Sequence, residues 1–265
     1  MPTIDDLAKF LEAFAPPRLA ESWDNVGLLV GDRAARVERV MTCLTVTPAS
    51  AAEAIDARAE LIVTHHPLPF RPLKRIATDE PTGELLWRLI GAGVSIYSPH
   101  TAFDSAASGI NQRWAEGLEL RDIVPLVASP TSARGGIEGA GRCGTLPHKR
   151  TLAEVAERVK RLVGIDRVQV VGAAACGVRR LAIACGSGGE FVEAAHRLGC
   201  DCLVTGEARF HTCLEAEALG MALILAGHFA SERFAVAYLA EVIEAQWPEL
   251  EVWPSRRERD PLAWL

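Results

Sequence analysis

The sequence predicts an α/β protein of two similar alternating β/α halves, with mainly parallel strands, a small α+β insertion and a site in the cleft between the halves. Two observations predict this class: short apolar runs alternate with segments of helical spacing, and the alternation occurs twice along the chain. With 49% hydrophobic and 23% charged residues, the 265-residue chain can bury the core of one large domain or of two smaller ones. We expect the first half at 1–120, the insertion at 121–178 and the second half at 179–265.

The first half begins with a helix and then alternates. Residues 3–14 place apolar groups at helical spacing behind a capping Thr3, and Pro16 and Pro17 end the pattern. Residues 21–32 predict a polar turn that leads into an apolar strand. The next predicted elements are a strand at 40–46, a helix at 48–58, a strand at 60–64, a helix at 83–91, a strand at 94–98 and a helix at 110–118. This order predicts parallel pairing through right-handed crossovers.

The alternation breaks in the insertion and then resumes. Residues 129–144 are rich in Gly, Ser and Pro, which predicts an irregular stretch. Thr151 and Glu154 form a capping box for a helix that ends near Val163, and a strand follows at 168–171. The second half then has strands at 181–185, 202–205 and 222–226, and a final long helix at 231–246.

The two halves read as an internal repeat. Residues 53–104 run parallel to residues 193–232 in their order of apolar and polar segments. The alignment superposes two pairs of residues, His100 on His228 and Asp104 on Glu232. A pseudo-two-fold arrangement of the halves would place these pairs on opposite walls of one cleft.

Histidines lie at the ends of three predicted strands. His65 and His66 end the strand at 60–64, directly before Pro67. His100 and His228 each follow an apolar strand and precede a carboxylate by four residues, the spacing of one helical turn. Imidazoles at the carboxyl ends of strands in an α/β sheet are typical of a metal site.

The predicted ligand set combines four imidazoles with two carboxylates: His65, His66, His100, Asp104, His228 and Glu232. Any one of these alone would more simply cap a helix or fill a polar turn, but their recurrence at three strand ends predicts two divalent metal ions in one pocket. Mixed nitrogen and oxygen ligands suit Zn, Fe, Mn, Co or Ni rather than Ca or Mg. Four neutral ligands and two anions leave the ion pair with net positive charge, so the pattern favours an anionic substrate.

Glu207 and His211 follow a predicted strand, again at one-turn spacing. They are candidates for the general base and acid of a reaction, or for partners that orient the metal ligands. The alternative is an ordinary solvated start of a helix.

Two further groups have open interpretations. Trp23 and Asp24 either line a pocket or form a turn in which Asp24 bonds nearby backbone. Arg71, Lys74 and Arg75 closely follow the histidine pair and either hold a phosphate or form a solvated face.

The remaining glycine, histidine and cysteine patterns carry less information. Residues 185–190 lie between a strand and a helix, where backbone N–H groups can bind an anion, but the spacing favours a tight turn. His148 and His196 carry no pattern and are expected at the surface or at caps. The seven cysteines form no Cys-x-x-Cys pair and are interpreted as reduced core thiols, with metal binding by Cys200 and Cys202 as the alternative.

Charge and hydropathy limit the partners and the compartment. The net charge of −6 argues against a broad nucleic-acid surface. The sequence contains no run of eighteen apolar residues, and its first residues lack the basic start and apolar core of a signal peptide. We therefore expect a cytoplasmic protein without membrane partners.

At these residues the chain resembles the family of GTP cyclohydrolase 1 type 2 homologues, also called Nif-three-like proteins, over essentially its whole length. The segments that carry the resemblance are Trp23 to Gly27, Thr64 to Pro67, Pro72 to Lys74, His100 to Asp104, Thr205 to Glu207 and Gly227 to Glu232. The resemblance implies a two-metal centre built by the same six ligands, and it implies a toroidal homohexamer.

This chain departs from the family pattern at two positions. Thr45 stands where members often carry Asp, so any role of that Asp is expected to be absent. Phe210 and His211 stand where many members carry two histidines, which leaves one imidazole there. The insertion at 121–178 is also shorter than in the longer members.

Two functional hypotheses follow. The first is a metal-dependent hydrolase that acts on a nucleotide or another phosphorylated small molecule, with GTP as one candidate, and in which Glu207 or His211 moves protons. The alternative is a non-catalytic metal-binding or protein-interaction hexamer.

Overall fold

The computed structural model describes residues 1–132 and 136–263, and it divides the chain into two compact units. The first unit consists of Met1–Phe103 and Ala235–Leu265, and the second consists of Asp104–Phe234. Each unit contains a mixed sheet with helices, which confirms the predicted α/β class. In the part of the chain that is described, no helix combines the length and the apolar composition needed to cross a bilayer.

The helices and strands that the sequence predicts lie close to their predicted positions, and the structure contains further short helices and strands. The α-helices are α1 (Ile4–Phe14), α2 (Pro48–Asp56), α3 (Pro81–Gly91), α4 (His100–Ser105), α5 (Ile110–Gly117), α6 (Leu152–Val163), α7 (Val192–Arg197), α8 (Phe210–Ala218) and α9 (His228–Gln246). The strands are β1 (Gly27–Val30), β2 (Arg39–Cys43), β3 (Leu61–Thr64), β4 (Ser95–Ser98), β5 (Arg121–Val124), β6 (Val127–Ala128), β7 (Gly139–Ala140), β8 (Arg142–Thr151), β9 (Gln169–Val171), β10 (Gly177–Ala184), β11 (Cys202–Thr205), β12 (Ala222–Leu225) and β13 (Glu251–Pro254). Short 3-10 helices occupy Pro17–Leu19 and Gly188–Phe191.

Local sequence signals explain several helix ends. Thr3 and Thr151 accept hydrogen bonds from the third residue of α1 and α6, and the residue at that position bonds back to each cap, as the capping-box patterns predict. The final helix begins at His228 rather than at residue 231, because Gly227 (φ +89°) makes the turn and Ser231 already lies in the first helical turn. The Ser231 hydroxyl donates to the His228 carbonyl at 2.8 Å instead of capping the helix.

In the first unit, a five-stranded sheet has the order β1-β4-β3-β2-β13. The strands β13, β2, β3 and β4 are mutually parallel, and β1 pairs antiparallel with β4. All four residues of β3 are buried, as the continuous apolar run predicts for a central strand covered on both faces. The chain therefore leaves β3 at the middle of the carboxyl edge of the sheet.

In the second unit, a six-stranded sheet has the order β5-β8-β10-β11-β12-β9. Its parallel strands β10, β11 and β12 alternate with helices along the chain, and β9 pairs antiparallel with β12. On the other side, β8 pairs antiparallel with both β10 and β5. The strands β6 and β7 form a separate antiparallel pair, and residues 133–135 of the predicted irregular stretch lie outside the described residues.

The observed units divide the chain at other positions than the predicted boundaries at 120 and 178. Residues 121–178 are not a separate insertion, because β5, β8 and β9 belong to the same sheet as β10, β11 and β12. The C-terminal residues also leave the predicted second half, because β13 pairs in parallel with β2 from Glu251↔Arg39 to Pro254↔Thr42. The pairing of β8 and β13, which the sequence does not predict as strands, accounts for both differences.

The second unit contains a fully buried arginine, Arg142. Its guanidinium donates to the carbonyl oxygens of Gly139, Gly141 and Ala106 at 2.7–2.8 Å and to the Gln112 side chain at 3.0 Å. Burial lowers the pKa of Arg142 to about 10, and these oxygens satisfy the charge that burial would otherwise penalise. The contacts tie the chain that follows α4 to the start of β8.

A buried carboxylate, Glu53, holds the C-terminal segment of the first unit. It accepts hydrogen bonds from the Trp253 indole at 3.2 Å, from the Ser255 hydroxyl at 2.7 Å and from the backbone N–H groups of Arg256 and Arg257 at 2.9–3.1 Å. Burial opposes the charge, but these donors outweigh it and lower the pKa of Glu53.

We predict that Glu53→Gln lowers the free energy of unfolding by about 2 kcal/mol at neutral pH, because an amide accepts fewer of these bonds. The lowered pKa means that the carboxylate stabilises the fold above pH 4.5, its ordinary value, and that this contribution is lost as the pH falls through the lower folded value. Urea unfolding at several pH values measures it. In the control Asp56→Asn, which alters an exposed carboxylate paired with Arg257, we expect little change, and an equal loss in both variants would contradict the prediction.

Candidate metal centre

The histidine pair is placed by the sheet. The backbone N–H groups of His65 and His66 donate to the carbonyls of Cys43 and Leu44 at 2.9 and 2.8 Å, which continues the β2–β3 pairing beyond the end of β3. The Thr64 hydroxyl donates to the His66 carbonyl at 3.0 Å. Hydrogen bonds therefore hold the backbone of both histidines in place, at the carboxyl end of the middle strand of the sheet.

His65, His66 and His100 converge within the first unit. Each offers a ring nitrogen, and these three nitrogens all lie within 4.8 Å of one another. The ring centroids of His65 and His66 are 5.1 Å apart. The ring centroid of His100 lies 5.1 Å from that of His65 and 5.5 Å from that of His66. His65 and His100 are buried. Three neutral imidazoles at this spacing suit a divalent transition metal, so this group can hold a metal ion.

Asp24 orients His100. Its Oδ1 lies 2.7 Å from His100 Nδ1, and its Oδ2 accepts hydrogen bonds from the Thr101 backbone N–H at 3.1 Å and from the Thr101 hydroxyl. Burial alone would raise the pKa of Asp24, but the bonds from His100 and Thr101 lower it to about 2. An ionised Asp24 that accepts the Nδ1 proton leaves His100 Nε2 free to bind a metal.

Thr45 stands in the same relation to His66. The Thr45 hydroxyl lies 2.7 Å from His66 Nδ1, which fixes the orientation of the His66 ring. The backbone N–H groups of Leu44 and Thr45 donate to the Glu258 carboxylate at 3.0 and 2.7 Å, which holds this turn. Thr45 is therefore the partner of His66, at the position where family members often carry Asp.

The second unit contains its own group of predicted ligands. His228 Nε2 lies 3.1 Å from Glu232 Oε2, and His228 Nδ1 lies 3.1 Å from Glu207 Oε1. The hydrogen bond to Glu232, followed by the contact with Glu207, raises the pKa of His228 to about 9. Hydrogen bonds from Ser187 and His228 lower the pKa of Glu207, which keeps it ionised. Glu207 is thus placed as an orienting partner of a predicted ligand.

Residues 185–187 form a tight turn, followed by the 3-10 helix at Gly188–Phe191, and this turn contacts both Asp104 and Glu232. The Cys185 thiol donates to Asp104 Oδ1 at 3.3 Å, and burial together with Asp104 raises the pKa of Cys185 well above its usual range. At Gly186 (φ +62°), an added Cβ would lie 2.2 Å from Glu232 Oε1. The N–H of Gly186 donates to Ser231 Oγ at 2.9 Å, so this turn serves the protein rather than an anion.

The predicted site residues are divided between the two units. His65, His66 and His100 are together in the first unit, and Asp104, His228 and Glu232 lie around the 185–186 turn in the second. His211 is exposed in the first turn of α8, and its ring lies 5.6 Å from that of Phe210. The arrangement of the six ligands as one two-metal centre stays a prediction.

Apart from Glu207, the sequence does not predict which residues support which ligands. Asp24 was singled out without a partner, and Ser187, Gly186 and Cys185 were interpreted only as a turn. One signal was present for Gly186, since a glycine directly after a buried strand marks a close approach. For Asp24 no local signal exists, because its partner His100 is 76 residues away.

These observations define an α/β protein with histidine-rich sites at the carboxyl ends of its parallel strands. The chain matches the family model of Duf34/NIF3 (NGG1p interacting factor 3) over residues 2–261, and it belongs to that family.

Relatives and solved structures agree with this assignment. A Clostridium acetobutylicum protein named GTP cyclohydrolase 1 type 2 homolog is 34% identical, with 91% of this chain and 89% of the relative covered. The protein NIF3 homolog of Schizosaccharomyces pombe is 35% identical, with 89% and 86% covered. A solved structure of a Staphylococcus aureus hypothetical protein has a TM-score of 0.90 at 26% identity and covers 100% of both chains.

We predict that Gly186→Ala weakens metal binding at Glu232, because the new methyl group and the Glu232 carboxylate cannot both occupy their positions. A drop of about 10-fold or more in Zn²⁺ affinity, measured by calorimetry, is expected. The matched control is Gly199→Ala, which has a similar φ of +71° but open space around its Cβ. This control bears the same backbone cost, so equal metal affinities in the two variants would refute the steric explanation.

Proposed function

We propose that this protein is a metal-dependent hydrolase that acts on a nucleotide or another phosphorylated small molecule. The observation that carries the proposal is the group of His65, His66 and His100, whose ligand nitrogens lie within 4.8 Å of one another. Two of these imidazoles have partners at Nδ1, Asp24 and Thr45, which directs the other ring nitrogen to a metal.

The proposal includes a second metal ion per chain. Asp104, His228 and Glu232 supply two carboxylates and one imidazole, a donor set that suits Zn, Fe, Mn, Co or Ni. The sequence repeat, in which His100 and Asp104 correspond to His228 and Glu232, supports one dinuclear centre. Divalent ions supply activated water and stabilise charge on an attacked phosphoryl or carbonyl group.

The protein's own side chains would position the ligands and move protons. Glu207 lies 3.1 Å from His228 Nδ1 and orients the ring, so that Nε2, which faces Glu232, would bind a metal beside that carboxylate. His211 follows Glu207 by four residues in the sequence, and its side chain is exposed. It can therefore exchange protons with solvent and substrate. Glu207 is ionised, which suits it to accept a proton as well as to orient His228.

An anionic substrate fits the charge of such a centre, and the names of the relatives point to GTP. The Clostridium acetobutylicum relative is named for GTP cyclohydrolase 1 type 2, and we carry GTP over to this chain as one candidate substrate. A homohexamer is part of the same proposal on the basis of the family resemblance, and a cytoplasmic location is part of it on the basis of the sequence composition.

A second candidate is a non-catalytic protein that binds metal and interacts with a partner. The family description, NGG1p interacting factor 3, favours it because it names an interaction and no reaction. The two candidates differ in whether the metal-loaded protein turns over any substrate.

We predict that the purified protein binds two divalent ions per chain and that His65→Ala loses metal and turnover together. Metal content is measured by elemental mass spectrometry, and turnover is measured with a panel of nucleotides including GTP. The control is His196→Ala, an exposed histidine with no part in the site, which should retain both. Full metal occupancy without turnover of any compound in the panel would favour the interaction protein.

We predict that Glu207 and His211 separate into two kinds of effect. Glu207→Gln should lower metal affinity about 10- to 100-fold, because it weakens the partner of His228. His211→Ala should keep the metal but lower kcat about 100-fold or more, because it removes a group that transfers protons. Calorimetry and steady-state kinetics measure the two quantities. Normal kcat in His211→Ala would exclude His211 from the reaction.

A further inference from the structure

Two exposed aromatic rings lie beside the candidate metal ligand His100. The side chains of Trp23 and Phe70 are 60% and 46% exposed. Their ring centroids are 6.0 Å apart, and they lie 6.0 and 5.9 Å from the His100 ring, with both at steep angles to it. Large aromatic side chains that stay exposed next to a polar site are unusual for a folding role, because they add little buried area where they are.

Hydrogen bonds fix the backbone that carries these two rings. The Asn25 side chain donates to the carbonyl of Pro69 at 2.8 Å, which joins the segment of Trp23 to the segment of Phe70. Asp24, between Trp23 and Asn25, is bonded to His100 and Thr101. The aromatic pair is therefore preorganised, and a ligand that stacks on it would pay little to order it.

A cationic side chain lies on the same loop. Lys74 lines a cavity of about 360 Å³ together with Pro69, Leu73 and other apolar residues of the first unit. This volume is in the range of small-molecule pockets. The neighbouring Arg75 also reaches the cavity, but its guanidinium is held by Asp79 and Glu80 at 3.4 and 2.6 Å. Arg71 and Lys74 are the other exposed cations of this loop, and of these two Lys74 lines the cavity, where it can meet a phosphate.

We propose that Trp23 and Phe70 form the stacking surface for the planar ring of the substrate, beside His100, and that Lys74 binds its phosphate. The substrate class is then a nucleotide, in which an aromatic heterocycle and a phosphate chain occur in one molecule. Stacking on an aromatic face tolerates any base, so this surface selects for a planar ring rather than for guanine itself. The assignment rests on the proposed function and names the residues that select the substrate.

The test is calorimetry on the full, metal-loaded chain with three kinds of probe: the β,γ-imido analogues of GTP, ATP, CTP and UTP, inorganic triphosphate, and guanosine. Trp23→Leu and Phe70→Leu are expected to weaken binding of the analogues about 10- to 100-fold and to leave triphosphate unchanged. Lys74→Ala is expected to weaken analogue and triphosphate alike. The control is Trp87→Leu, which changes a 63% exposed indole on α3 and should bind like the wild type.

Each variant must keep the metal content of the wild type, so that a change in binding is not an effect on His100. Equal affinity of wild type and Trp23→Leu for every analogue would overturn the assignment, as would failure of all four analogues to bind the wild type. A Trp23→Leu variant that binds normally but changes its oligomeric state in sedimentation would assign the rings to a subunit contact instead. Binding that depends on Trp23 without any turnover would keep the stacking surface and reject the hydrolase.

Discussion

The backbone pairing of β3 with β2 is the constraint on which the first metal-binding group depends. Because β3 is buried and parallel to both of its neighbours, the chain can leave it only at the carboxyl edge of the sheet. The bonds from His65 and His66 to the carbonyls of Cys43 and Leu44 hold the two histidines beside the end of β2 as the chain turns out of the sheet. A slip of one residue in the β2–β3 register would move the side chains of β3 to the other face of the sheet and would displace the histidines that follow.

The imidazoles are directed by partners from separate segments of the chain. Asp24 precedes β1 and contacts Nδ1 of His100, and Thr45 follows β2 and contacts Nδ1 of His66. Glu207 precedes α8 and contacts Nδ1 of His228. A carboxylate is not required at each position, since the hydroxyl of Thr45 does for His66 what Asp24 does for His100. The common feature is geometric: in each of the three imidazoles a partner at Nδ1 fixes the orientation of the ring.

Buried polar groups tie the ends of both units to their sheets. Glu53 accepts hydrogen bonds from the segment after β13. Arg142 donates hydrogen bonds to carbonyl oxygens in β7 and directly after α4. Each is satisfied by several partners, which is the condition under which a buried charge is tolerated. The strands that sequence patterns describe poorly are thus joined to the sheets by a few specific contacts.

The sequence by itself determined the α/β class, most helix and strand positions and the six candidate ligands, because apolar periodicity, capping residues and histidines at strand ends are local signals. It could not determine which strands share a sheet. Residues 121–178 and the C-terminal strand carry weak patterns, and long-range pairing with β10 and β2 decided their place. The tertiary structure alone decided which polar side chain meets which histidine. Asp24 and His100 are separated by 76 residues, and a contact between segments so far apart leaves no periodic trace in the chain.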